Sequence, residues 1–416
     1  MDSNEVVNAF QNDSLGSDDA VGIADKIKKG ELSVSLVTRD AIERAKAVNP
    51  KLNAITVENF DLAQTNSEKP FSGFFQGVPT FIKDTDEVPG LPLYLGSRSL
   101  PGEPSDKYSK AAKQIIDTGL NCLGTTTTPE FGLTGTTESL RFGATCNPWN
   151  TAYSTGGSSG GSSALVAAGV IPIAHANDGA GSIRIPASCC GLVGLKASRG
   201  RIKDKEVPGY LPANILHDGV VTRSVRDTWA FHAEIEKNIP ATEFPPIGDI
   251  SESFPKNLKI AVLTENCLGE DSSAELVQAT HDVARLCESL GHEVEMISNP
   301  FYKKFDEDFW LLWAHFGFLI RYSVGKELSS KFDHTQLEQW PKYLISRHWR
   351  NIHKVPVAFW RLRGFVSQYE TFMQKFDILL TPTLGTTVPK LGFFGPEVSG
   401  QEPVSYTHLR AHETPA

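Results

Sequence analysis

The chain has 416 residues, 40% hydrophobic and 21% charged, which excludes global disorder and supplies core enough for two or three average domains or one large α/β enzyme. A formal net charge of −9 argues against broad binding to nucleic acid or to an anionic membrane, since both need a positive surface that displaces counterions. The start Met1-Asp2-Ser3-Asn4-Glu5 lacks the basic and apolar regions of a signal peptide, and no window approaches about eighteen uninterrupted apolar residues. The six cysteines show no CxxC pairing, so they read as reduced, buried thiols of a cytoplasmic protein rather than a zinc site or a disulfide framework.

Residues 18–48 carry a helical pattern, with Ile23, Ile27, Leu32, Leu36 and Ile42 apolar among charges and Glu31-Leu32-Ser33 supplying a break and a cap between two helices. Gly77 to Ile82 reads as a buried strand that delivers Lys83-Asp84 at its C-terminal end. A helix over 109–118 and a strand over 120–124 follow. Then come ten residues, Ser154 to Ser163, that are all Gly, Ser or Thr. This is not a spacer, because it runs directly into a small apolar helix at Ala164–Ala168 and a strand at Val170–Ala174. Further on, 258–263 predicts a strand, 274–290 a helix, 292–297 a strand and 376–380 another, while 301–363, rich in Trp, Phe, His and Arg, predicts a helical excursion that builds pocket walls. Residues 240–255 read as a surface connection. The alternation predicts an α/β fold with a mixed, twisted central β-sheet covered by helices on both faces.

Three elements carry chemistry together: Lys83 at a strand end, Ser158 inside the Gly/Ser tract, and Ser182 in Asn177-Asp178-Gly179-Ala180-Gly181-Ser182-Ile183-Arg184. Gly179-Ala180-Gly181 is poor in side chains, so such a loop can aim successive N–H groups at one point. A GxSxG nucleophile elbow also matches Gly156 to Gly160, but Asn147-Pro148-Trp149-Asn150-Thr151 precedes it where that motif requires a hydrophobic strand. A phosphate cradle is weaker still, since no Gly-Lys-Ser/Thr follows.

The ordered motifs Gly77-Val78-Pro79 through Lys83-Asp84, Thr128-Pro129-Glu130-Phe131-Gly132, Gly156 to Ser162, Asp178 to Arg184 with Pro186-Ala187, Gly191 to Lys196, and Thr222 to Thr228 resemble the amidase signature family of Ser-Ser-Lys hydrolases. The likeness runs over roughly residues 20 to 390 and is densest from 77 to 228. It implies that Lys83 is the terminal base, Ser158 a bridging serine on a cis peptide, and Ser182 the nucleophile. It also implies an oxyanion hole from the N–H groups of Gly179, Ala180, Gly181 and Ser182, with Asp178 holding the loop from beneath and Ser159 and Arg184 in supporting roles. The chemistry is coherent: a serine hydroxyl attacks an amide only when a base removes its proton, and a lysine is a base only when neutral, which burial favours.

The sequence departs from the family pattern in places. Ala180 stands where most relatives carry Gly, which requires a negative φ there and brings the loop nearest to that of 6-aminohexanoate-cyclic-dimer hydrolase-like amidases. Relatives continue past Thr381-Pro382-Thr383 with further strands, so the reading expects one amidase-signature domain over 1–402, truncated at its C-terminus. It would comprise a helical arm 18–65, a catalytic core 75–235 and an excursion 301–365, with a non-native-looking tail over 403–416. No metal site is read into His408 and His412 of that tail, and no cofactor is expected.

The function expected is hydrolysis of a carboxamide C–N bond through a seryl acyl-enzyme on a small-molecule amide, with Gly132, Trp310 and Trp313 as substrate contacts and a homodimer as a compatible assembly. Two alternatives stand beside it. One is the glutaminase subunit of a tRNA-dependent amidotransferase, which Pro129 disfavours because such subunits usually carry Asp there. The other is a catalytically impaired truncated member, against which the joint presence of Lys83, Ser158 and Ser182 speaks.

Overall fold

The structure is a computed structural model that describes residues 5–202, 215–240, 244–248, 255–266, 269–301 and 304–397. The tail over 403–416, its two histidines and part of the 240–255 connection lie outside the described residues.

Helices α1 (Ala20–Lys28) and α2 (Val34–Leu52) begin at polar caps: Asp19 accepts from Gly22 N and Ser33 from Leu36 N, so each side chain satisfies an otherwise orphaned amide. Asp227 adds a second cap, its two oxygens accepting from Ala20 N and Val21 N at 2.9 Å each, which ties the N-terminal arm to helix α7 (Val225–Asn238). The apolar faces of α1 and α2, including Ile23, Val37, Ala41 and Leu52, are fully buried in the main core with Phe75, Phe81 and Ile82. Each large side chain buried this way contributes roughly 1.5–3 kcal/mol. The arm is not wholly helical. At Asn53, in the left-handed conformation with φ 51°, the chain turns into strand β1 (Ile55–Glu58), followed by α3 (Phe60–Asn66).

Strand β3 (Asn121–Thr126), which follows helix α4 (Lys110–Ile116), lies between β1, antiparallel to it, and β2 (Pro79–Lys83), parallel to it. Strand β4 (Ile173–Asp178) pairs antiparallel with β6 (His217–Thr222), whose other neighbour is the short β5 (Val193–Gly194). In the third group β7 (Lys259–Val262) lies between β8 (Glu293–Met296) and β9 (Ile378–Leu380), both parallel to it. Among the described residues these make three separate three-stranded pieces, beside two short two-stranded pairs, Glu138–Ser139 with Gly143–Ala144 and Cys146–Asn147 with Asn150–Ser154. The first two pieces meet where β2 lies alongside β4 and side chains replace the backbone ladder: Thr80 Oγ1 donates to Ile173 O at 3.0 Å, and Lys83 N donates to His175 Nδ1 at 3.1 Å.

Helix α5 (Gly160–Ala167) packs on β2, β4 and β6, and it starts four residues earlier than the composition suggests. Its first two glycines are required by contact rather than by backbone freedom. A Cβ on Gly160 would sit 2.2 Å from Thr137 Oγ1, and one on Gly161 2.4 Å from Thr127 Oγ1. The short α6 (Arg184–Cys190) follows β4, and α8 (Ala274–Ser289) lies between β7 and β8. The aromatic-rich stretch forms α9 (Phe305–Leu319), a π-turn at 320–324, α10 (Gly325–Leu328), α11 (Gln339–Asn351) and α12 (Val355–Met373). It packs over Leu133 and Ala180 in a second apolar cluster with Phe309, Trp310, Trp313 and Trp340. No helix among the described residues is long and apolar enough to cross a membrane.

Candidate active site

Strand β2 ends at Lys83, whose side chain is wholly buried. Its Nζ donates to Ser158 Oγ at 2.7 Å and to Asn177 Oδ1 at 2.6 Å. The next residue, Asp84, is also buried. Burial pushes its carboxyl up to about 7, against the pull of the Tyr94 and Gly96 amides that donate to it.

Ser158 follows a cis peptide bond from Gly157. The glycines around it allow close approach: a Cβ on Gly157 would be 2.6 Å from Thr136 O, and one on Gly156 2.9 Å from Cys189 Sγ of α6. Ser159 Oγ both donates to Asn177 O and accepts from Asn177 N, each at 3.3 Å, fastening the tract to β4.

Strand β4 organises the rest. Side chains two apart share a face, so His175 and Asn177 both point toward β2, one taking the backbone N–H of Lys83 and the other its Nζ. Asp178, on the opposite face, holds the loop that carries Ser182: Oδ1 accepts from Gly181 N at 2.6 Å and Oδ2 from Ile183 N at 3.2 Å. Arg184 clamps the same carboxylate from Nε at 2.9 Å and from a terminal nitrogen at 3.0 Å. Burial alone would raise the Asp178 carboxyl, but Arg184 and the two amides outweigh it and hold it at about 2. Gly181 has φ +102°, and a Cβ there would lie 2.7 Å from Ile185 Cδ1. Ala180 stays out of the left-handed region, as its methyl requires, and packs into the second apolar cluster.

Ser158, Ser182, Asn177 and Gly179 face a cavity of about 610 Å³. Its walls are largely apolar, formed by Phe131, Leu133, Trp313 and Phe316 among others. Gly132 borders it too; with φ +67° it needs to be glycine, and a Cβ would come 3.2 Å from Ser158 Oγ. Trp313 is fixed by its indole N–H, which donates to Leu133 O at 3.1 Å; Trp340 donates to the same carbonyl at 3.0 Å.

Two expectations need correction. Trp310 does not line the cavity: it is buried against Trp340, edge to face, because the helix turns Trp313 and Phe316 toward the opening and Trp310 into the packing between α9 and α11. Gly181 is not an open oxyanion donor, since its N–H is engaged by Asp178 Oδ1, three residues back. Sequence reasoning also missed Asn177, whose Nδ2 donates to Thr85 Oγ1 at 2.6 Å, and His175. The available signal was His175 and Asn177 at alternate positions beside the buried apolar Ile173, Ala174 and Ala176.

Residues 36–414 match the family model described as Amidase, and the chain belongs to the amidase signature family. It is thus a hydrolase of carbon–nitrogen bonds other than peptide bonds. It is 42% identical over 393 residues to AmiC of Mycobacterium tuberculosis (strain ATCC 25618 / H37Rv), covering 94% of this chain and 83% of that protein. It is 39% identical over 293 residues to a 6-aminohexanoate-cyclic-dimer hydrolase of Paenarthrobacter ureafaciens, covering 66% of this chain and 58% of that one. A solved structure of 6-aminohexanoate cyclic dimer hydrolase complexed with substrate superposes with a TM-score of 0.80 at 28% identity, covering 94% of this chain and 87% of that one.

Proposed function

We propose that the chain hydrolyses a small linear or apolar carboxamide through Ser182, Ser158 and Lys83, by way of an ester on Ser182. The observation that carries this reading is the 2.7 Å bond between Lys83 Nζ and Ser158 Oγ at the edge of a cavity that Ser182 also borders. In the first step Ser182 Oγ bonds to the amide carbon while its proton passes to Ser158 Oγ and the Ser158 proton passes to neutral Lys83. The C–N bond then breaks, the leaving nitrogen takes a proton from Ser158, and Ser158 recovers one from Lys83. A water molecule, deprotonated along the same relay, attacks the ester; as the acyl–Oγ bond breaks the relay returns that proton to Ser182 Oγ, and the freed acid ionises to carboxylate.

The N–H groups of Gly179, Ala180 and Ser182 are the proposed oxyanion donors, each such interaction contributing on the order of 3 kcal/mol to transition-state binding. The apolar walls favour an acyl chain without charge near the scissile bond. The resemblance to enzymes named for 6-aminohexanoate cyclic dimer supports amides of linear aliphatic acids as the first substrates to try. Five buried or partly buried free thiols among the described residues accord with a proposed cytoplasmic location.

The test is steady-state hydrolysis of an aliphatic amide series by wild type, Lys83→Ala, Ser158→Ala and Ser182→Ala. The proposal expects a kcat loss of about 10²–10⁴-fold on removing either relay group and a larger one for Ser182. A Ser182→Ala enzyme that keeps its rate contradicts it.

A further inference from the structure

We propose that His175 is a positioning residue for Lys83, held by Asp218 as the neutral tautomer that carries its proton on Nε2. The inference rests on the catalytic role proposed for Lys83, and it begins from a backbone amide. A backbone N–H only donates, so the Lys83 N–H that meets His175 Nδ1 at 3.1 Å requires a lone pair there. The ring proton must then be on Nε2, and that atom lies 3.2 Å from Asp218 Oδ1 and 4.0 Å from Asp86 Oδ2. His175 is wholly buried and Asp218 is 2% exposed.

The neighbours fit this assignment. Asp218 sits on β6 opposite Asn177, which turns its side chain to the face shared by His175 and Asn177. Among the described residues its second oxygen, Oδ2, is buried without a hydrogen-bond partner, and the bond that this side chain makes there is the one to His175. Asp86 is otherwise occupied, accepting from Ser109 Oγ at 2.7 Å and Thr85 Oγ1 at 2.9 Å. The His175 carbonyl is pinned in turn by Ser162 Oγ of α5 at 2.6 Å.

Asp86, His175 and Asp218 each present one ligand-type atom within 4.8 Å of the others, which invites a cation instead. The amide excludes it. With Nδ1 accepting from Lys83 N, a metal on Nε2 would demand a ring with no proton at all.

The consequence is that one strand fixes the lysine at both ends, His175 at its peptide and Asn177 at its amine. Thr85 N and Asp86 N hold the Lys83 carbonyl, so without an acceptor at position 175 the Lys83 N–H alone loses its partner, and the proposal is that the end of β2 then shifts enough for Nζ to lose its bearing on Ser158. Misplacement of about 1 Å costs a rate on the order of 100-fold. His175 touches no substrate, so the loss falls on kcat.

The test combines a spectrum and a rescue. Long-range nitrogen–proton correlation spectra of the full chain labelled at histidine nitrogens report the tautomer of His175, assigned with the His175→Asn variant. The expected result is a proton on Nε2 and none on Nδ1, as the Lys83 N–H requires. His175→Leu is expected to lose kcat about 100-fold with KM within about two-fold. His175→Asn, whose Oδ1 can occupy the place of Nδ1, regains about ten-fold or more of that loss, whereas His175→Gln, whose amide reaches the Nε2 position, does not. A proton found on Nδ1, a charged ring, a stoichiometric metal, or wild-type kcat in His175→Leu overturns the proposal. Should His175→Leu fail to fold, the spectrum and the Asn–Gln comparison decide. The spectrum does not depend on turnover, so a failure of the Ser182 mechanism is read separately.

Discussion

Asn177 holds the amine of Lys83 and the hydroxyl of Thr85 with one side-chain amide, at 2.6 Å on each side. Lys83 Nζ therefore has a second acceptor besides Ser158, and its direction is set by a residue that takes no proton. Removing that acceptor leaves a buried donor short of a partner, which costs roughly 1–3 kcal/mol. Asn177→Ala is expected to lower kcat by about ten-fold or more while KM changes little. Steady-state kinetics on the amide identified for the wild type provide the check.

The Asp178–Arg184 clamp gives the enzyme a defined acid limit. The folded carboxyl titrates at about 2 against an ordinary 3.8, so the folded state refuses a proton that the unfolded chain accepts. The stabilisation is therefore present above about pH 4 and is lost as the pH falls toward 2. Asp178→Asn should lose about 1–3 kcal/mol at neutral pH, because an amide nitrogen then faces N–H donors, and should show a flatter acid limb. Urea unfolding at several pH values measures both.

The opposite sign holds at the join between Glu130 and helix α11. Glu338 N donates to Glu130 Oε2 at 2.8 Å, and Glu338 Oε1 accepts from Leu140 N at 2.6 Å. Burial raises Glu130 to about 7, and burial with the Glu130 charge raises Glu338 to about 8. For these acids the folded state keeps protons that the unfolded chain gives up near 4.5, so their contribution to stability is full below 4.5, falls as the pH rises from there, and is lost once the pH has passed about 7 and about 8. Glu338→Gln should remove much of this slope, seen as a smaller fall in Tm between about pH 5 and about pH 8 than in the wild type.

Gly132 tests the cavity floor. An alanine there takes a left-handed φ at a cost of about 1–2 kcal/mol, and its methyl would stand 3.2 Å from Ser158 Oγ. Gly132→Ala is expected to lower Tm by a few degrees yet reduce kcat/KM by about ten-fold or more, a disproportion that a purely structural glycine would not give.

The α/β alternation and most strand positions are legible because short buried strands leave local signals, whereas Lys83, Ser158 and Ser182 are each weak signals alone and are grouped through the resemblance to the amidase signature family. What failed locally was decided by partners far along the chain. Gly160 and Gly161 look like loop residues until Thr137 and Thr127 are seen to crowd them, and only then does their place in a helix make sense. Trp310 and Trp313 are equally apolar and three residues apart, and which one faces the cavity depends on the position of Trp340. The resemblance already implies Asp178 beneath the loop, but not that its Oδ1 takes the Gly181 N–H and so removes it from the oxyanion donors. The sequence reading ends the strand at Ala174 and puts Asn177 in the nucleophile loop, whereas β4 runs Ile173–Asp178, and the meaning of His175 and Asn177 appears only where β2 arrives without a ladder.

The most direct test is to label the protein with a fluorophosphonate and locate the adduct by peptide mass spectrometry. The account predicts one modified residue, Ser182, with labelling abolished in Ser182→Ala and strongly slowed in Lys83→Ala and Ser158→Ala. An adduct on Ser158, or labelling that persists in Ser182→Ala, would contradict it.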